Sequence, residues 1–195
     1  MGSVAQARYV SWALDLAVCA AAVSNYCDHV DHNESADREW ITGAGRRMRE
    51  MACEIASLEE NDLLALYAAR LRAIEDRNPL SHPGSFDGEA RVAEATTWRD
   101  LQLAQSEHDR HYHPDVIGLS KFDQLLHYAL HTSKLAGALA EVARGNAKAN
   151  EFRDRRLPDL LLFGIKLATV TGKSLAEKPL AGQSSAADLR HLIAA

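Results

Sequence analysis

Runs of alternating β-branched and aromatic residues are missing from this chain, and aromatics make up only 6% of it. That excludes a fold built mainly from sheet. Five prolines and eleven glycines in 195 residues are few enough to leave long helices uninterrupted. No surplus of positive charge exists; the formal net charge is −5. A general nucleic-acid binder would carry a basic surface, so that partner class is not expected. Cysteine is scarce and odd in number, with three residues and no CxxC pair, which suits neither a disulfide framework nor a zinc ribbon. Cys19, Cys27 and Cys53 read instead as reduced thiols of a cytoplasmic protein. The apolar stretch 12–23 is interrupted by Asp15, is too short to span a bilayer and lacks a basic flank. No membrane partner is expected.

What the chain does contain is alanine, leucine and apolar residues at helical spacing. With 47% hydrophobic and 25% charged residues, its length suits one compact domain, or one domain with a helical arm. The expected fold is an all-α antiparallel helical bundle. Its N-terminal helical subdomain (1–78) carries a helix over about 5–26, then a polar turn at 27–36. A second helix, capped by Ser35, places Trp40, Ala44, Met48, Met51 and Ile55 on one stripe. A third runs over about 61–76, with Leu63, Leu64, Tyr67, Leu71 and Ile74 facing inward. Residues 79–95 read as a linker, because two prolines and two glycines fall close together in it. The second helical domain (96–178) opens with Thr97 and Asp100 in a capping-box arrangement. Trp98, Leu101, Ala104, His108 and Tyr112 line one stripe of this helix, and Pro114 ends it. Ser120 caps the next helix, Gly145-Asn146 ends it, and Pro158 opens a last long helix that stops at Gly172. That last helix is apolar nearly all round, which makes it the expected buried centre. A tail, 179–195, completes the chain.

The chemistry-bearing residues concentrate in the second half. Asp123, His127 and His131 are spaced by four, with Lys134 three further on, so all four share one sector of a helix, away from Leu125, Ala129 and Ala136. Two histidines one turn apart and a carboxylate can hold a transition metal; pairwise contacts on a polar face explain the same pattern. His108-Asp109, His111 and His113 offer further ligands or acid–base groups. His108 shares a stripe with Trp98 and Tyr112 and reads as a half-buried histidine with its hydrogen bonds satisfied. The group Cys27, Asp28, His29, Asp31, His32 and Glu34 reads as turn and cap chemistry. Two basic clusters, Arg46-Arg47-Arg49 and Arg153-Arg155-Arg156, have the charge to hold a phosphate or simply end helices in solvent. Gly172-Lys173-Ser174 is not a phosphate loop, because the motif's first glycine position is Leu167.

In layout, residues 98–178 resemble the MazG-like family of all-α nucleotide pyrophosphohydrolases. The resemblance rests on Tyr112-His113-Pro114, then His131-x-x-Lys134-Leu-x-Gly, then Arg156-x-x-Asp159-Leu-Leu-Leu-Phe, Lys166-Leu-Ala and Thr171-Gly-Lys-Ser-Leu. Family members carry E-x-x-E and E-x-x-D acids that hold magnesium on a triphosphate. Here His131, Lys134 and Arg156 stand at three of those positions, and Asp159 alone keeps an acid. Magnesium needs hard oxygen ligands, so most of its shell is gone. The resemblance then implies one of three things. A divergent enzyme would bind a nucleotide or another phosphorylated small molecule through Lys134, Arg155, Arg156 and Lys166, with Tyr112, His113 and Trp98 lining the site. His127 or His131 would act as general base, oriented by Asp159. A non-catalytic binding module would keep the cleft alone. A metal protein would use Asp123, His127 and His131, with His108 or His113. A divalent metal is thus a possible cofactor. The family's clefts lie between helices of dimers or tetramers, which implies a homo-oligomer here, with Trp12, Leu14 and Leu16 as interface candidates that core packing explains equally well.

Overall fold

The computed structural model describes residues 3–28, 34–78, 86–146 and 149–176, and among them it is all-α, with no strand. The helices are α1 (Ser3–Asp28), α2 (Glu34–Leu58), α3 (Leu63–Glu75), α4 (Gly88–Glu94), α5 (Trp98–Tyr112), α6 (Pro114–Ile117), α7 (Lys121–Ala143), α8 (Ala149–Glu151) and α9 (Leu157–Val170). The turn read at 27–36, the loop 79–85 and the tail 179–195 lie wholly or partly outside the described residues.

α9 is the axis of the core. Every residue from 157 to 168 is buried, including Asp159 and Lys166. A helix without a polar face has to be surrounded, and α2, α3, α5 and α7 all pack on it. Arg38 reaches Thr171 while Arg49 reaches Gly164, so α2 runs antiparallel to α9. Lys166 meets Asp109 and Lys173 meets Gln102, so α5 is antiparallel as well. α1 lies against α7 in the same sense, with Gln6 bonded to Ala143 and Tyr26 beside Phe122.

Local chemistry sets the helix ends. The Thr97 hydroxyl accepts from the Asp100 amide while the Asp100 carboxylate accepts from the Thr97 amide. Ser120 caps α7 through the Asp123 amide. Gly145 and Gly172 close α7 and α9 at φ 75° and 70°, a conformation that favours glycine. The helical backbone leading into α9 does not stop at Pro158. It continues back through Phe152–Arg156 as a π turn, in which the Leu157 amide bonds the Phe152 carbonyl.

Two sequence expectations need correction. Residues 88–94, read as linker, form α4; Asp87 caps it through the Ala90 amide, and buried Val92 seats it on the core. Gly88 counted there as loop chemistry, but the aspartate before it is equally an N-cap. On α2 the inward position is Ile41, not Trp40, which is 56% exposed. Of the interface candidates on α1, Trp12 and Leu16 are core residues and only Leu14 points outward. α1 is also longer than the apolar stretch suggested. Its residues Ala5–Asp28 are long and apolar enough to cross a membrane by length and composition, although Tyr9, Trp12, Leu16, Cys19 and Val23 face the core.

α2 and α9 touch backbone to backbone where Gly45 meets Gly164. A Cβ on Gly164 would lie 2.8 Å from the Gly45 carbonyl oxygen and 3.2 Å from the Arg49 amide nitrogen. Neither neighbour is a flexible side-chain end, so Gly164→Ala is expected to destabilise the fold by about 1–3 kcal/mol, measured by urea unfolding. An unchanged midpoint would mean that the helices part freely at this point.

Candidate functional site

The inner stripe of α5 changes character along its length. Leu101 and Ala104 are apolar; one and two turns on, Gln105, His108 and Asp109 are buried on the same side. Buried polar groups need partners, and α3 and α9 supply them. The Tyr67 hydroxyl donates to Gln105 Oε1, and Gln105 Nε2 donates to Asp109 Oδ1 at 2.9 Å. Lys166 Nζ, from α9, reaches the same oxygen at 2.8 Å. The ammonium also lies 5.8 Å from the Tyr128 ring centre and 5.6 Å from that of Phe163, so carboxylate and ring faces hold it together. Burial pushes the Asp109 carboxyl up, but His108 and Lys166 outweigh that and hold it below its usual range.

His108 differs from its sequence reading. It is 0% exposed, and neither ring nitrogen has a hydrogen-bond partner among the described residues. Nδ1 faces Asp109 Oδ1 at 3.8 Å, and Nε2 faces Glu75 Oε1 at 3.8 Å, both beyond hydrogen-bonding reach. Glu75 is fixed in turn by the Gly88 amide at 3.0 Å. The His108 ring is wedged against Tyr112 at 4.7 Å and meets Phe86 edge-on at 5.8 Å. The half-buried His113 ring centre is 6.1 Å away.

α7 brings two more imidazoles to the side of this centre. Its buried arc is Leu125, Tyr128, Thr132, Leu135, Leu139 and Val142, which leaves His127 and His131 half-buried at its edge. Their ring centres are 4.7 Å apart, and His131 stacks on Phe163 at 4.4 Å. Burial, then His127, Lys134, Lys166 and His113, drive the His131 pKa down to about 4. Burial and Lys166 lower those of His127 and His113 in the same direction. These rings are therefore neutral near pH 7, with lone pairs free to accept a proton or a metal.

The site residues expected from sequence thus divide. His113, His127, His131 and Lys166 converge between α5, α7 and α9, while Tyr112 packs on His108 and Phe86. Asp159 does not join them; it pairs with Arg70 at 2.6 Å, and Arg155 and Arg156 act on it only through their charge. Asp123 is exposed at the start of α7, where it accepts from the Ser120 hydroxyl at 2.7 Å. Lys134 is exposed one turn beyond His131. Among the described residues the three potential metal ligands that gather are His108, Asp109 and His113, one ligand atom of each lying within 4.8 Å of the others.

A second feature lies between α2 and the end of α9, a cleft of about 790 Å³. Arg38, Arg46, Arg49, Trp98 and Lys173 line it together with Glu39, Glu50 and Glu54. The basic trio of α2 splits across the helix. Arg47 turns to α1, pairing with Asp15 at 2.6 Å and with Glu54 at 2.7 Å, while Arg46 and Arg49 line the cleft. Glu50 is engaged by Arg46 and Arg47, and Glu54 also accepts from Trp12 Nε1. Arg49 is left with the Gly164 carbonyl at 2.8 Å, and burial draws its pKa down to about 10. Among the described residues Arg38 bonds only the Thr171 carbonyl. Among the described residues neither arginine, nor Lys173, has a carboxylate within ion-pair distance.

The fold and these two features define an all-α protein with a buried carboxylate–lysine–histidine centre and a separate basic cleft. Comparison with protein-family models, with curated proteins and with solved structures finds no match.

Proposed function

We propose that this chain is a divergent MazG-like protein that binds a phosphorylated small molecule of nucleotide size in the α2–α9 cleft. The observation that carries the reading is the set of three cations, Arg38, Arg49 and Lys173, without carboxylate partners among the described residues, in a cleft of about 790 Å³. Guanidinium groups suit phosphate oxygens in geometry and charge. The volume is in the range of small-molecule sites, and half-buried Trp98 offers a flat face for a base. Binding is favoured over magnesium-dependent hydrolysis. Three of the family's acid positions hold His131, Lys134 and Arg156, and the fourth, Asp159, is occupied by Arg70. In this reading Lys134, Arg155 and Arg156 do not hold the ligand, since none of them lines the cleft. The three free cysteines fit a reducing cytoplasmic setting, and two copies associate over the exposed Val10, Leu14 and Val18 of α1.

The test is calorimetric titration with nucleoside triphosphates and with inorganic pyrophosphate. Arg49→Gln should weaken binding by about 10- to 100-fold, the scale of one charged hydrogen bond, and Lys173→Ala should weaken it in the same direction. Lys134→Ala should leave it unchanged. No heat and no thermal shift with either class of compound would refute the reading.

A further inference from the structure

We propose that His108, Asp109 and His113 form a transition-metal site, holding zinc or a ferrous-type ion by two imidazoles and one carboxylate. The gathering of the three ligand atoms within 4.8 Å is the first ground. The second, independent of it, is His108, fully buried with both ring nitrogens unpartnered among the described residues. Left so, an imidazole forfeits hydrogen bonds that water would supply, at real cost to folding. A metal on Nδ1 resolves this at once. It takes the lone pair on the side that faces Asp109 and puts the proton on Nε2, facing Glu75. A ligating histidine usually gives its other N–H to a carboxylate, and Glu75 is held in place for that by the Gly88 amide. Asp109 is oriented the same way, by Gln105 and behind it Tyr67.

The donor set selects the ion. Two nitrogens and one oxygen suit zinc, iron or cobalt, and not the all-oxygen shells of magnesium or calcium. Three protein ligands leave at least one position open. The distances contract on binding, since tetrahedral zinc needs ligand bonds of about 2.0–2.2 Å. Lys166 shapes the affinity. Its ammonium already sits on Asp109 Oδ1 at 2.8 Å, so a dication and the lysine compete for one carboxylate. His127 and His131 belong to α7 and remain outside the ligand set.

The experiment uses the full chain without a histidine tag. Metal content is measured by elemental mass spectrometry, and the chelator-treated protein is titrated with cobalt(II), whose visible bands report nitrogen and oxygen ligation. About one ion per chain is expected, by the stoichiometry of a three-ligand site. His113→Ala should abolish the bands while leaving the helical circular dichroism intact, since this ring is only half-buried and is not one of the core residues. Glu75→Gln should weaken affinity by about 10- to 100-fold, the usual effect of losing a carboxylate behind a ligating histidine. Lys166→Met keeps the apolar stem and should tighten binding by about tenfold or more, because the competing charge is gone. His131→Ala should retain the ion. A protein that takes up no cobalt overturns the proposal. So does loss of the ion in His131→Ala with retention in His113→Ala, or weaker binding in Lys166→Met.

Discussion

Asp159→Ala is expected to destabilise the fold by about 3–5 kcal/mol, because it leaves the Arg70 charge uncompensated beside the core. The two side chains are 6% and 15% exposed and meet at 2.6 Å, so solvent does little to screen the stranded guanidinium. The pair itself is not a large source of stability. Burial raises the Asp159 carboxyl pKa, and Arg70, with Arg156 and Arg155, only partly reverses this. Replacing both partners, as in Arg70→Met with Asp159→Leu, should therefore recover most of the loss. Urea unfolding of the two singles and the double closes the cycle. A loss below about 1 kcal/mol in Asp159→Ala, the level of a surface pair, would show that Arg70 finds water readily and that the carboxylate is held for some other task.

Acidification should unfold this protein in a window set by its histidines. The His131 pKa is about 4 in the folded chain against 6.5 unfolded. Between those values the unfolded state binds more protons, so stability rises with pH. The contribution is complete above pH 6.5 and is lost as pH falls toward 4. His113 and His127 are lowered as well and act with the same sign. The two buried aspartates oppose one another. Asp109, lowered, favours the fold above its unfolded pKa and loses this as pH falls through its folded one; Asp159, raised, disfavours the fold as pH rises. After a discount for partial solvent screening, the His131 share is on the order of 2 kcal/mol. Thermal unfolding followed between pH 7 and pH 4 should show a falling midpoint, and His131→Leu should flatten that dependence. A wild-type midpoint independent of pH over this range would contradict the burial of these rings.

Features decided within one turn of chain were legible in the sequence. The caps at Thr97 and Ser120 and the stops at Gly145 and Gly172 depend on neighbours a few residues away. The burial of α9 followed from its lack of any polar face. What escaped was the pairing of polar residues far apart in sequence. Nothing local joins Lys166 to Asp109 or Arg70 to Asp159, and each of those pairs engages a residue that the sequence alone had placed in a site. The helical sector of Asp123, His127, His131 and Lys134 was read correctly as a shared face. Yet only His127 and His131 lie close enough to the edge of the buried arc to meet Phe163 and Lys166, while Asp123 and Lys134 stay in solvent. His108 was placed on the right stripe. Its missing hydrogen bonds became visible only once Glu75 and Phe86 arrived from α3 and the segment before α4. The arginine cluster of α2 was a usable signal for the cleft, though not for the way one helical turn sends Arg47 to α1 and Arg49 to α9.

The π turn at Phe152–Arg156 gives the chain a place where its length is not fixed. Such a turn holds one residue more than α geometry requires, so a chain shorter by one residue there could close into ordinary α-helix with the facing of α9 unchanged. The same deletion between Pro158 and Lys166 would swing every later side chain by about 100° and carry Lys166 off Asp109. Slack sits in the segment ahead of the axis, and register is strict within it. Drift in length among descendants of this sequence should accordingly collect before residue 157 and stop there.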